Sequence, residues 1–338
     1  MTVPDEYINR DRIVEFLESI ADIEPLIAEA DKVRRLHFGN FIQLRGIIEF
    51  SNNCCRNCFY CGLRKDNHAI SRFRMTSDEI FDAASAIKAQ GVKTVVLQSG
   101  DDFTYTCKML CYLIKKIKEN LDLSITISIG ERTHDEYRAF YDAGADRCLI
   151  KFETSNQELY SWLHPGMTLS QRLNLINALR NMGYQVGTGN IVGLPRQSFE
   201  DLAGDIFLFK SLDPDMASVG PFVPQKKTPL GDFKEASLTH TIIILALTRI
   251  ATLNSHMPVT TAIGTIAGDT GRIAALNAGA NVIMADFTPY NYRKDYIIYD
   301  NKAAVTIDDT TRILGLVGRK AATDHGDSTK DFWREKRL

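Results

Sequence analysis

The 338-residue sequence lacks several things, and each absence narrows what the protein can be. It has no surplus of one charge: 40 Lys and Arg face 42 Asp and Glu, a formal charge of -2. It therefore offers neither a basic field for nucleic acid nor an acidic tail. No apolar run approaches the ~18 residues of a membrane span. Met1-Thr2-Val3-Pro4-Asp5-Glu6 is polar and acidic, unlike a secretory signal, so a cytoplasmic protein is expected. No internal repeat and no low-complexity linker divides the chain. None of the seven His residues is paired at metal-ligand spacing. The seven cysteines form no disulfide framework. Cys107, Cys111 and Cys148 are scattered, whereas Cys54, Cys55, Cys58 and Cys61 crowd one short segment, as in a metal site in a reducing compartment.

What is present is a core-forming composition, 44% hydrophobic and 24% charged, which excludes a disordered chain. Short β-rich runs alternate with amphipathic stretches. The runs are 44–51, 94–100, 123–130, 147–154, 185–194, 217–223, 258–265 and 281–286. Helical patterns separate them, at 198–212, 237–253, 269–278 and 308–316, and after a capped start at Thr76-Ser77-Asp78-Glu79. These units predict an α/β fold, a single (β/α)8 TIM-type barrel over 41–320. Near-continuous apolar strands suit a parallel sheet buried on both sides. A doubly wound sheet is the alternative, but the number of units and the single composition class favour the barrel. Residues 1–40 form an N-terminal helical extension. Its apolar positions, Ile13, Phe16, Leu17 and Ile20, then Leu26, Ile27, Val33 and Leu36, mark two helices stopped at Gly39 and placed to plug the barrel bottom. Residues 321–338 form a polar C-terminal tail with Trp333 as its one large anchor.

Chemistry in such a barrel gathers where strands end and enter their βα loops. The first strand runs into Cys54-x3-Cys58-x2-Cys61. Thiolates at this spacing can wrap one soft metal centre. Three of them satisfy three irons of a 4Fe-4S cluster and leave the fourth iron open. The competing assignment is a structural zinc site using Cys54, Cys55, Cys58 and Cys61, since zinc favours four ligands. Adjacent Cys54 and Cys55 would have difficulty facing the same tetrahedral ion.

The cysteine loop after a first barrel strand, with an aromatic before its last Cys, resembles the radical S-adenosylmethionine (SAM) superfamily. Further segments resemble the HydE-type maturases of iron-iron hydrogenase, relatives of 3-methylornithine synthase and biotin synthase. They include Arg45-Gly46-Ile47-Ile48-Glu49-Phe50-Ser51-Asn52, Val96-Leu97-Gln98-Ser99-Gly100, Gly144-Ala145-Asp146-Arg147, Val192-Gly193-Leu194-Pro195, Thr260-Thr261-Ala262-Ile263-Gly264 and Gly279-Ala280-Asn281-Val282-Ile283-Met284. Together the matching segments span roughly residues 38–320, the whole barrel.

The resemblance implies two cofactors: one 4Fe-4S cluster on Cys54, Cys58 and Cys61, and SAM bound to its open iron. It implies that Gln98, Ser99, Gly100 and Asp101 meet the SAM amino group, with glycine allowing close backbone approach. Glu153 would lie at the ribose or sulfonium, Arg172 at the methionyl carboxylate, and Tyr60 and Ile191 beside adenine. Gly189, Ile191 and Gly193 form the superfamily's G-x-I-x-G pattern. Lys151 stands where the maturases have Arg, keeping the charge but losing the bidentate fork. Beyond SAM, Arg147, Thr260 and Thr261 would clamp a substrate carboxylate, and Met216, Met284, Tyr292 and Tyr296 would close the pocket. For Met216 and Met284 core packing is an equally good explanation. Residues 286–338 contain no Cys, so the auxiliary cluster that some maturases carry there has no ligands.

The activity implied is reductive SAM cleavage to a 5′-deoxyadenosyl radical, acting on a small sulfur- and carboxylate-bearing substrate in hydrogenase diiron-site maturation. No acid–base dyad is required. The partners implied are an external one-electron reductant of ferredoxin or flavodoxin type and other hydrogenase maturation proteins, with no nucleic acid and no membrane. Two alternatives stay open: another radical SAM reaction, such as lysine rearrangement to 3-methylornithine or maturation of a different iron cofactor, and a non-catalytic zinc or iron–sulfur binding protein.

Overall fold

The computed structural model describes residues 6–20, 23–330 and 333. The acidic residues 1–5 and tail residues 331–332 and 334–338 lie outside it. Eight parallel strands form the barrel wall: β1 Phe41–Ser51, β2 Thr94–Ser99, β3 Ser124–Ser128, β4 Arg147–Leu149, β5 Gln185–Val192, β6 Met216–Pro221, β7 Pro258–Val259 and β8 Val282–Asp286. A two-residue strand, β9 Lys320–Ala321, pairs with β1 outside this order. The order runs β6-β5-β4-β3-β2-β1-β8-β7, so β1 is flanked by β2 and β8. The seam between β6 and β7 holds only at its base, through the Met216–His256 bridge, where Ala217 N–H donates to the His256 carbonyl at 2.9 Å. The barrel is thus nearly closed, and the seam carries no ladder above that bridge among the described residues.

The helices around the wall start where the sequence supplies caps. Thr76, Thr133, Thr168, Ser198 and Thr306 each close a capping box with a Glu, Gln or Asp at the third helical position. Five helices around the wall thus have a defined start, whereas the connections after β1 and β8 are long. Among the described residues no helix is long and apolar enough to cross a membrane.

Three expectations need correction. Strand 147–154 ends at Leu149 as a ladder; beyond it only an isolated Glu153–Asn190 bridge continues the direction, with Glu153 at φ 65°. The run 258–265 is strand only to Val259. From Thr261 the chain is a helix, Thr261–Asn277, interrupted at Gly268 (φ 55°) just before the expected start at Asp269. Its β-branched residues carry strand propensity, but tertiary context decides such short stretches.

The barrel bottom is closed mainly by the tail rather than by the N-terminal helices. Helices Arg10–Ser19 and Glu24–Phe38 pack on the outer helices Phe199–Leu212 and Leu238–Thr252. His37 and Phe38 at the end of the second helix reach the base, the Phe38 ring 5.0 Å from that of His256. The tail enters because buried polar groups at the strand starts need partners. Arg147, fully buried, pairs with Asp327 at 3.0 Å and donates to the His325 carbonyl at 2.7 Å. Gln185 accepts from the Ser328 N–H at 2.9 Å, and the Trp333 indole donates to Asp215 at 2.6 Å.

Asp327→Ala leaves Arg147 buried without its counter-charge. It should cost about 2 kcal/mol, below the roughly 3–5 of a fully buried pair because the Asp327 carboxylate is partly solvated. Anaerobic denaturant titration checks this; an unchanged midpoint would mean that the tail does not hold the lower end.

Candidate active site

At the C-terminal ends of the strands lies a cavity of about 370 Å³. Cys54, Cys58 and Cys61 line it from the loop after β1, and Cys55 does not. Cys55 is exposed, its backbone N–H donating to the Asp101 carbonyl at 3.0 Å. The Cys54 sulfur instead receives the backbone N–H groups of Arg56 and Asp101, each at 3.4 Å. A bulge between Glu49 and Ser51 turns β1 into this loop. Gly100 lets β2 come close: a Cβ there would sit 2.3 Å from the Asn53 carbonyl oxygen.

The three thiols share one electrostatic problem. Burial, then Asp101 and Cys61, pushes the Cys54 thiol up to about 12. Burial pushes Cys61 up to about 11, and burial with Cys61 and Cys54 raises Cys58 well above the ordinary thiol value. Three thiolates there need a cationic centre to ionise against. Among the described residues no group of three or more His, Cys, Asp or Glu is arranged to hold a single metal ion. With Cys55 turned outward, the four-thiolate zinc assignment loses its ligand set. A loop-borne trio facing one cavity fits a cluster that leaves one iron open.

A ladder of alternating charge runs from this loop. Arg56 Nε donates to Asp101 Oδ2 at 2.6 Å and its guanidinium reaches Glu131 at 3.5 Å. Glu131 accepts from Arg172 Nε at 2.7 Å, and Arg172 Nη1 donates to the Lys151 carbonyl at 2.5 Å. Against its burial, the neighbouring Tyr160, Glu131 and Glu153 hold the Arg172 guanidinium charged. Lys151 Nζ lies 3.0 Å from Glu153 Oε2. The Tyr60 hydroxyl lies 3.2 Å from Glu153 Oε1 and 3.0 Å from His164 Nε2. Burial lowers His164 to about 4, so the ring is neutral near pH 7. Its Nδ1 lies 2.9 Å from the Tyr160 carbonyl, which can only accept, so the proton is on Nδ1. Ile191 belongs to a satellite apolar cluster with Leu194 and Phe222, against which Phe59 and Tyr60 of the cysteine loop pack.

Gln98, Ser99, Gly100 and Asp101 line the cavity together with Tyr60, Glu153, Arg172 and Ile191, as the resemblance implied. Thr260, Thr261, Met284 and Tyr296 line it too. Arg147, Met216 and Tyr292 do not. Arg147 and Met216 are the first residues of β4 and β6, and a parallel barrel puts strand starts at the end opposite the mouth. Met216 sulfur there accepts from Arg45 Nη1 at 2.8 Å. Tyr292 points away and donates to Glu79 at 2.6 Å. The cavity also contains Glu49, His164 and Tyr299, which the sequence reading passed over. For Glu49 a signal existed: it is a lone carboxylate within an apolar strand. A wider hollow of about 620 Å³ at the opposite end is lined by the tail and carries no thiol.

Residues 48–209 match the family model of the radical SAM superfamily. The [FeFe] hydrogenase maturase subunit HydE of Thermotoga maritima is 41% identical over 315 residues, covering 91% of this chain and 90% of that one. The chain belongs to the radical SAM superfamily. The 3-methylornithine synthase of Methanosarcina acetivorans is 32% identical, covering 80% of this chain and 76% of its own. A crystal structure of methylornithine synthase superposes with a TM-score of 0.83 at 27% identity, covering 100% of both chains. The protein is thus a radical SAM enzyme, and its cofactors are a 4Fe-4S cluster and SAM.

Two variant pairs test the site. Cys54→Ser should abolish the stable cluster, whereas Cys55→Ser should keep about four irons per chain, as for a single cluster. Iron content after anaerobic reconstitution decides it, and equal loss in both would restore the zinc assignment. Arg172→Ala should weaken SAM binding by roughly tenfold or more, the scale of a charge-assisted contact, with the cluster spectrum unchanged. Equal SAM affinity for Arg172→Ala and wild type in titration would make Arg172 purely structural.

Proposed function

We propose that this enzyme is a HydE-type maturase, acting on a small sulfur- and carboxylate-bearing molecule during assembly of the diiron site of iron-iron hydrogenase. The observation that carries the reading is the likeness to the Thermotoga maritima maturase along nine-tenths of both chains. The cavity agrees with it. When bound, the cluster and SAM supply a 5′-deoxyadenosyl radical by one-electron cleavage of SAM.

The chain's own residues bind, orient and exclude water. Cys54, Cys58 and Cys61 hold the cluster. Gln98, Ser99, Gly100 and Asp101 receive the SAM amino group on the β2 side. Arg172, already fixed by Glu131 and the Lys151 carbonyl, keeps its Nη2 donors for the methionyl carboxylate. Glu153, held by Lys151 and Tyr60, faces the ribose, and Ile191 with Tyr60 borders adenine. Lys151 here neutralises Glu153 rather than reaching for a carboxylate as a fork. Thr260 and Thr261 offer hydroxyls to the substrate carboxylate, with Met284 and Tyr296 as the polarizable wall beside them. The electron comes from a ferredoxin- or flavodoxin-type donor, and the product passes to other hydrogenase maturation proteins.

The test uses the reconstituted, reduced enzyme. It should release methionine and 5′-deoxyadenosine and restore hydrogenase activity to a maturation system lacking its HydE component. Conversion of lysine to 3-methylornithine would assign the rearrangement instead. Stoichiometric zinc without SAM cleavage would make the protein a non-catalytic metal binder.

A further inference from the structure

Between β8 and helix Ile307–Leu316 the chain makes an excursion much longer than an ordinary βα connection. Apart from the single turn Tyr290–Arg293 it has no secondary structure of its own. Its ordering comes from other elements. The Asp295 carbonyl accepts from Asn52 Nδ2 at 2.8 Å, and the Ile298 carbonyl accepts from the Gly62 N–H at 2.8 Å, both in the cysteine loop. Gly62 permits that approach, since a Cβ there would lie 2.0 Å from the Ile297 carbonyl oxygen. On the far side Asp300 N–H donates to the Pro224 carbonyl at 3.1 Å, and its carboxylate accepts from Lys226 N–H at 3.0 Å. Residues 294–303 therefore cross the barrel mouth from the cysteine loop to the end of β6.

Three side chains reach inward from this strap. The Tyr296 hydroxyl accepts from Gln98 Nε2 at 3.1 Å. The Tyr299 hydroxyl lies 2.6 Å from Thr261 Oγ1. Lys302 Nζ donates to Glu49 Oε2 at 2.6 Å, with Asp286 at 3.9 Å and the Tyr296 ring 5.3 Å away. The Lys302 side chain is 9% exposed and that of Glu49 3%. Among the described residues Lys302 is the strap's buried cation, paired closely with Glu49 and more distantly with the equally buried Asp286. A buried charge without its partner is costly, so the pair strongly prefers the strap seated.

We propose that residues 294–303 are a strap that closes the reaction cavity, and that Lys302, through Glu49, is the positioning residue that seats it. Seating brings Tyr296 and Tyr299 in as cavity walls and presses the strap backbone onto the loop that carries the cluster. Closing the mouth to water is thereby tied to the position of the three cysteines. With Lys302 unseated, the strap has mainly backbone and rim contacts left, and such segments open locally. The proposal rests on this cavity being the reaction site, not on which substrate it takes.

The test is hydrogen exchange on the reconstituted protein, with and without Lys302→Met. Exchange at 294–303 should rise roughly tenfold or more, as for a locally opened segment, while helix Cys107–Leu121 keeps its protection. Loss of the cluster's visible absorption to EDTA should quicken in parallel. Lys302→Arg should restore both, which a packing defect would not allow. Should Lys302→Met fail to fold, Glu49→Gln with Lys302→Met removes the nearer of the two stranded charges, leaving Asp286, and should show the same local opening. Wild-type exchange at 294–303 in the folded single or double variant overturns the proposal. None of these readouts uses substrate, so the maturase assignment can fail while the strap stands, and the reverse.

Discussion

Asp101 is the point on which the site depends. Its N–H reaches the Cys54 sulfur, its carbonyl takes the Cys55 N–H, and its carboxylate takes both Arg56 Nε and the Glu131 N–H. One residue at the end of β2 thus joins the loop after β1 to the turn after β3. The bonds act on its N–H, its carbonyl and its carboxylate Oδ2, so they fix both the spacing and the rotation of the three strand ends. Cys54 and Cys55 are pulled opposite ways by the same residue, the sulfur of one turned in and the backbone of the other held at the rim. Chemical likeness between the neighbours is broken by geometry, not by composition.

From Asp101 the charges alternate through Arg56, Glu131 and Arg172 toward Lys151 and Glu153. Each is at least partly withdrawn from water, and each has a partner of opposite sign, which is the condition under which buried ions persist. The opposite side of the cavity is of another character: the hydroxyls of Thr260, Thr261 and Tyr299 and the sulfur of Met284. The asymmetry separates a wall suited to a zwitterionic cofactor from one suited to a softer, less charged guest. Glu49 stands on the second side, held up to about 7 by burial against the pull of Lys302.

Much of this was legible in the sequence because it is local. The alternation of strands and helices, the capped starts and the spacing of Cys54, Cys58 and Cys61 all lie within short windows, and the barrel follows from them. Gln98 to Asp101 and Glu153 were assigned by the resemblance at the C-terminal ends of strands, and all of them line the cavity. Arg147 and Met216 show the limit: Arg147 belongs to the strand it was assigned to and Met216 directly precedes its expected run, but both stand at strand starts, the other end of the barrel wall. Thr261 shows another, since a β-branched run reads as strand until the chain turns at Thr260. The pairing of Lys302 with Glu49 was out of reach altogether. The two residues are 253 positions apart, and nothing in either neighbourhood announces the other.

The tail that closes the barrel base has a consequence for how the chain is made. Asp327 follows Arg147 by 180 residues. At a synthesis rate of about 5–20 residues per second, it emerges roughly 10–40 s later. Strands β5 to β8 are made within that interval, so even once they are complete the guanidinium at the barrel base has no carboxylate from the tail to meet it. The lower half cannot dehydrate until the last segment arrives, so its final compaction waits for translation to pass Asp327.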